Sequence, residues 1–133
     1  MNKLLKTNLL LPMMADELNY QVIFVRDISL AAAFFIEKLG LKKEEELLVA
    51  GINCPVLKMF NGHRLMLVKH FEPETEPTVI YTDDCLRDFC KLKRQGIELF
   101  SVPIYRTKGL SCEFFDPSGN HILLLEERDY TDA

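Results

Sequence analysis

The sequence contains no tryptophan, and no apolar run approaches the roughly 20 residues a bilayer-spanning helix needs. A membrane span is therefore not expected, and the large side chains of any core must come from nine Phe, with Leu, Val and Ile around them. An excess of positive charge is missing too. Sixteen Lys and Arg stand against 20 Asp and Glu, for a formal net charge of −4. A surface of that sign repels phosphate backbones, so no nucleic-acid partner is expected. Nor is there a C-x-x-C pair. Cys54, Cys85, Cys90 and Cys112 build neither a zinc knuckle nor a thioredoxin-like motif. Cys85 and Cys90 fall within one predicted helix, a poor geometry for a disulfide. Reduced thiols and a cytoplasmic location are the expectation.

What is present is ordinary for a globular chain: 133 residues, 48% hydrophobic and 27% charged. That length suits one compact domain or two half-size modules sharing a core. Residues 1–17 read as an N-terminal arm, with Lys3 and Lys6 ahead of Leu9-Leu10-Leu11 and Pro12. The order resembles a signal peptide, but the apolar stretch is too short and Pro12 interrupts it. The arm is expected to be held against something, a partner subunit being one choice.

The rest of the chain reads as one pattern written twice. Leu18 to Val25 is rich in β-branched and aromatic residues and predicts a buried strand. Asp27 and Ser29 are N-cap candidates for a helix from Leu30 to Leu39, stopped by Gly40. Strands follow at about 42–49, 53–60 and 64–70, the first two joined near Gly51-Ile52-Asn53 and the last two by an Asn61-Gly62 hairpin signal. An acidic, proline-containing linker from Glu72 to Pro77 separates the halves. Then Thr78 to Thr82 predicts a strand, and Asp83 and Asp84 are cap candidates. Cys85 to Gln95 predicts a helix ending at Gly96, with strands at about 97–106, 110–115 and 120–127. Pro103 is expected to break or bulge the first of these, because it cannot donate a ladder hydrogen bond. Val25 and Asp27 correspond to Thr82 and Asp84, 57 residues on; Gly40 corresponds to Gly96, 56 on. The run from Gly62 to Leu67 matches that from Asn120 to Leu125, with Leu65 set against Leu123, an offset of 58. Near-constant offsets across a module mark an internal duplication.

Two segments carry a resemblance. Val25-Arg26-Asp27 followed by S-L-A-A-A-F-F-I-E-K-L-G-L resembles the first strand and helix of the vicinal-oxygen-chelate superfamily, which includes glyoxalases, bleomycin-resistance proteins and dioxygenases. F-F-D-P-S-G-N-H-I-L-L-L-E-E resembles its final hairpin, with Asp116-Pro117 starting the turn and Gly119 free to take positive φ. The resemblance covers about residues 18–128. It implies an α+β fold of two tandem βαβββ modules, 18–71 and 77–128, whose curved mixed sheets form a cup with the helices outside. It also implies a small-molecule cleft, within one chain or across a dimer, and a homodimer as the expected assembly. Metal-dependent members place His, Gln and Glu ligands early in the first strand and in the last strand of each module. The corresponding positions here are Tyr20, Leu65, Pro77 and Leu123. Leu and Pro cannot ligate a metal, and a lone Tyr binds one weakly, so no metal and no other cofactor is expected.

Strand alternation nominates other cleft residues. If Leu65 and Leu123 face the cup, then His63 and His121 share their faces, and Glu127 lies near the rim. Tyr20 shares the parity of Val22 and Phe24, and Tyr81 that of Val79. Glu113 interrupts an apolar strand, where a carboxylate must pair, face solvent or serve a pocket. Tyr105 and Arg106 on the preceding strand are its candidate partners. Ligand-binding candidates are therefore Tyr20, His63, Tyr81, Tyr105, Glu113 and His121, with no catalytic residue assigned. The charge run from Lys42 to Glu46 reads as a protected edge strand. Three functions remain open: metal-independent binding of an unidentified small molecule, a lyase, isomerase or dioxygenase with relocated ligands or metal-free acid–base groups, and a regulatory dimer whose cup is self-filled.

Overall fold

A computed structural model describes residues 20–70 and 76–128. The N-terminal arm, the predicted strand's first two residues and most of the acidic linker lie outside the described residues. No helix among the described residues is long and apolar enough to cross a membrane.

The first module begins with β1 (Tyr20–Val25) and α1 (Ile28–Ala33), which continues as a π-helical segment over Phe34–Lys38. It then runs through β2 (Lys42–Val49), β3 (Ile52–Lys58) and β4 (Arg64–Lys69). The second repeats the order with β5 (Thr78–Tyr81), α2 (Cys85–Arg94), β6 (Ile104–Arg106), β7 (Gly109–Phe115) and β8 (His121–Glu127). Each module forms one four-stranded mixed sheet, ordered β1-β4-β3-β2 and β5-β8-β7-β6, in which the first and last strands pair in parallel. The chain is two βαβββ modules.

Local chemistry sets the boundaries. The Asp27 carboxylate caps α1 by accepting the Leu30 N–H at 3.0 Å, so the helix starts two residues before Leu30 and takes Ser29 inside it. Asp84 does the same for α2, accepting from Arg87 N–H at 2.9 Å, while Asp83 pairs with the Arg87 guanidinium at 2.6 Å. The β2–β3 turn sits at Ala50-Gly51, both with positive φ, leaving Ile52 and Asn53 in the strand. Asn61 and Gly62 also take positive φ, as their hairpin signal demands. The charge run lies on β2, the exposed edge of its sheet.

One predicted strand is corrected. Of residues 97–106 only Ile104–Arg106 pairs as β6, apart from an isolated bridge between Leu99 and Phe114. Pro103 has no N–H for the ladder, and the pairing with β7 is interrupted between Phe100 and Ile104. The second sheet therefore has a three-residue edge strand where the first has an eight-residue one.

The helix-facing sides of both sheets merge into one core. Ile23, Leu57, Leu65 and Leu67 of the first module join Ile80, Leu110, Phe114, Ile122 and Leu124 of the second around Phe35 and Leu92 of the helices. The Phe34 ring lies 6.1 Å from that of Phe114, so α1 reaches the second module's sheet. Cys85 at the start of α2 meets Cys112 of β7 thiol to thiol in this core.

Hydrogen bonds finish the junction. The Gln21 side chain donates to Val79 C=O at 2.8 Å and accepts from Val79 N–H at 3.1 Å, making a small ladder between β1 and β5. In the Asp116–Asn120 turn, the Asp116 carboxylate accepts from Ser118 N–H at 3.0 Å and from Asn120 N–H at 2.7 Å. Asn120 Nδ2 in turn donates to Phe24 C=O at 2.6 Å, and Ser118 Oγ accepts from Arg26 N–H at 3.0 Å. The signature turn is thus an inter-module fastener.

Removing it is expected to be costly. Asn120 is wholly buried, and an Asn120→Ala chain loses buried bonds worth about 1–3 kcal/mol when a partner is left unsatisfied; urea unfolding should register that loss. Gly109, at φ 152°, has no room for a side chain, since a Cβ there would lie 2.0 Å from the Glu126 carbonyl oxygen. Gly109→Ala is expected to destabilise by about 2–4 kcal/mol, and an unchanged thermal midpoint would contradict the β7–β8 register.

Candidate functional site

Each sheet has a second face turned away from the helices, and the two modules treat it differently. In the first, Val22, Phe24, Cys54, Val56, Met66 and Val68 are buried together in a separate apolar cluster, with Tyr20, Leu47 and Val49 packed against it. The second module's corresponding face carries Val79, Tyr81, Ser111, Glu113, His121, Leu123 and Leu125, and it is partly open. Val79, Tyr81, Leu123 and Leu125 line a cavity of 290 Å³ with Arg106, Thr107 and Lys108 of the β6–β7 hairpin. Drug-sized ligands occupy pockets of about 300–1,000 Å³, so this one falls just below that range.

A row of polar groups borders the cavity. Glu113 of β7 accepts from Arg106 Nη2 at 2.6 Å and is bonded to His121 Nε2 at 2.7 Å, so each carboxylate oxygen has its own partner. Arg106 Nε donates to Ser111 Oγ at 2.6 Å. The His121 ring lies 4.9 Å from Phe100 and 6.1 Å from Phe115, so an aromatic end closes the row. At the other end the Tyr81 ring stacks on His63 of the first module, with centroids 4.0 Å apart. Burial, with Glu127 adding to it, raises the Tyr81 hydroxyl above its ordinary value. It stays a neutral donor at physiological pH.

The six nominated residues thus separate. Glu113 and His121 meet on the second module's open face, and Tyr81 of that face meets His63 of the first module. Tyr20 is elsewhere: its hydroxyl donates to Glu45 at 3.0 Å, and burial together with that carboxylate raises it above its usual value. Beside it Arg64 pairs with Glu44. Tyr105 turns to the opposite side of its sheet, its ladder partner Leu110 being a core residue, and its ring lies under the Arg128 guanidinium at 5.5 Å. Val79 and Leu125, whose parity the sequence turns toward the cup, were not nominated as ligand-binding, and Thr107 and Lys108 were passed over. Strand parity with Leu123 and Tyr81 carries the signal for the first two, but nothing in a hairpin Thr-Lys distinguishes it from any solvated turn.

No protein-family model matches the chain, and no curated protein sequence does. Solved structures do. TnmS3, an antibiotic binding protein from Streptomyces sp. CB03234, is 22% identical with a TM-score of 0.70 over 85% of this chain and 97% of its own. A member of the glyoxalase/bleomycin resistance protein/dioxygenase superfamily from Sphaerobacter thermophilus DSM 20745 is 21% identical, with a TM-score of 0.68 over 86% of this chain and 99% of that one. Lactoylglutathione lyase from Agrobacterium tumefaciens is 17% identical, with a TM-score of 0.65 over 84% and 93%. The chain has the vicinal-oxygen-chelate fold.

In that fold the metal-ligand positions follow from the strand ladders, and one assignment changes. Val22 pairs with Met66 in the first module and Val79 with Leu123 in the second, both pairs related by 57 residues. Met66, not Leu65, is therefore the counterpart of Leu123, and the offset of 58 is one residue too long. The likeness of Gly62-His63 to Asn120-His121 misleads because His63 precedes its strand while His121 opens one. A slip of one turns every side chain to the other face: Leu65 and Leu67 point to the helix-side core, not into the cup. The four positions are Tyr20, Met66, Pro77 and Leu123, and the phenol of Tyr20 already serves Glu45. Among the described residues, no three His, Cys, Asp or Glu side chains gather to hold an ion. The residues do not fit the metal of the metal-dependent members.

The facing of β8 can be checked directly. Leu123 is half-buried on the open face, whereas Leu124 is 1% exposed in the core. Leu123→Glu is expected to fold with a loss of about 1 kcal/mol or less. Leu124→Glu buries an unpaired carboxylate and should cost more than about 4 kcal/mol. Equal losses in chemical denaturation would mean that the face assignment is wrong.

Proposed function

We propose that the protein binds a small organic molecule on the open face of its second module, without a metal ion. The observation that carries this reading is the 290 Å³ cavity whose floor is Val79, Leu123 and Leu125, with Tyr81 and Arg106 as polar contacts at its border. A few placed polar groups around an apolar floor are the usual make-up of a ligand pocket. The donor-poor set Tyr20, Met66, Pro77 and Leu123 supports metal independence, because the hard and borderline donors that ions need are missing there. TnmS3, which shares the fold, is an antibiotic binding protein. That agrees with binding as an activity this scaffold hosts, while fold alone never assigns one.

A second reading is metal-free acid–base chemistry, favoured by the Glu113–His121 contact at 2.7 Å. A carboxylate that orients an imidazole is a recurrent general-base arrangement. Both Glu113 oxygens are occupied, however, and His121 lies against Phe100 and Phe115 beyond the cavity lining. Binding is the simpler role.

The test is an NMR screen of the full chain against mono- and bicyclic aromatic compounds. Hits should shift the Val79, Tyr81, Leu123 and Leu125 signals, and a folded Leu123→Arg variant should lose them. Zinc, manganese or nickel ions should leave those signals where they are. Shifts confined to the first module, or saturable metal shifts in the cup, would overturn the proposal. Conversion of a bound compound by the wild type but not by His121→Asn would move the assignment to the second reading.

A further inference from the structure

The charge around the cavity differs from that of the chain. The protein carries a formal −4, yet the charged side chains that line the cavity are Arg106 and Lys108, both cationic. Lys108 makes no ion pair among the described residues. Its backbone is fixed, since its carbonyl accepts from Arg128 N–H at 2.9 Å and the next residue is the tightly fitted Gly109. Arg106 is held by Ser111 through Nε and by Glu113 through Nη2, both at 2.6 Å, which orients the guanidinium and leaves Nη1 uncommitted. Two carboxylates are near. Glu113 has both oxygens engaged by Arg106 and His121, and Glu127 is exposed at the end of β8, outside the lining. Glu127 acts on the Tyr81 hydroxyl from an exposed, solvated position, whereas the two cations line the volume that a ligand fills.

We propose that this cavity selects a small aromatic monoanion, with its ring against Val79, Leu123 and Leu125 and its oxyanion at Lys108 and Nη1 of Arg106. The assignment rests on the binding function proposed above and adds the ligand's charge and size. The cavity volume limits the occupant to about two fused rings. A preset guanidinium with one free N–H face, beside a mobile ammonium, is a donor set for a carboxylate or sulfonate. Tyr81, a neutral hydroxyl across the apolar floor, has no charge to offer a cationic ligand in their place.

The experiment compares 2-naphthoate with 2-naphthamide, which share ring and outline and differ in charge. Each is titrated calorimetrically into the full-length wild type, Lys108→Ala and Leu123→Arg, with circular dichroism verifying the fold. The wild type should bind naphthoate about fivefold more tightly, the ratio one half-exposed ion pair supplies. In Lys108→Ala that ratio should collapse toward one through loss of naphthoate affinity alone, and high salt should have the same effect on the wild type. Leu123→Arg should bind neither compound. If naphthamide binds the wild type as tightly as naphthoate, the anion assignment is overturned and the pocket stands. If neither compound binds, both the assignment and the binding function fall.

Discussion

The structure depends on one buried carboxylate. Asp116 gathers the backbone N–H groups of Ser118 and Asn120 and the Asn120 amide into a closed turn. Burial raises its pKa above the ordinary carboxylate value, and the N–H donors around it offset part of that rise. The turn then presents Asn120 and Ser118 to Phe24 and Arg26 at the end of β1. Units of half a domain's size are marginal on their own; here they share a core in which Phe34, at the end of α1, meets Phe114 of β7. Asp116 matters because it shapes the turn whose Ser118 and Asn120 tie the second module to β1. The Gln21–Val79 ladder secures the opposite end of the same seam.

With the seam fixed, the difference between the modules decides where function can reside. The first sheet has a long charged edge strand, and its cup-side residues are buried in an apolar cluster. The second has Pro103 where ladder bonds would continue, so its edge strand shrinks to three residues. The hairpin that follows brings Arg106, Thr107 and Lys108 to the border of the open face. Gly109 permits this, because the hairpin passes so close to Glu126 that any side chain would collide. One proline and one glycine thus divide a duplicated fold into a packed half and an accessible half.

Much of this was legible in the residues. The duplication, the Asp caps, the Asn61-Gly62 hairpin and the Asp-Pro-Ser-Gly-Asn turn are signals of local chemistry, which needs no tertiary context. Glu113 gave itself away as a carboxylate in an apolar strand, and Arg106 is indeed its partner. What failed was register. Letter similarity aligned His63 with His121, whereas backbone pairing sets Arg64 against that position, and the slip placed Leu65 in the cup. Tyr105 and Arg106 were both offered as partners of Glu113, but adjacent residues of β6 face opposite ways, and only Arg106 meets it. Lys108 carries no local signal at all, because its role comes from what the fold sets beside it.

The site's character follows from the same geometry. A chain with more acids than bases would, by composition, favour cations weakly. Net charge, however, acts through solvent, where about 10 Å of 0.1 M salt screens it. A ligand in a half-enclosed apolar cup meets the nearest groups instead, and there Glu113 is engaged on both oxygens while Arg106 and Lys108 line the volume. The Glu113–Arg106 pair is partly exposed and adds little stability of its own, about 1 kcal/mol or less. Its consequence is positional: it consumes the carboxylate that would cancel the site's charge and holds the guanidinium beside the cavity. Tyr20, Met66, Pro77 and Leu123 offer a metal few donors, whereas Arg106 and Lys108 give the proposed site two cationic ones.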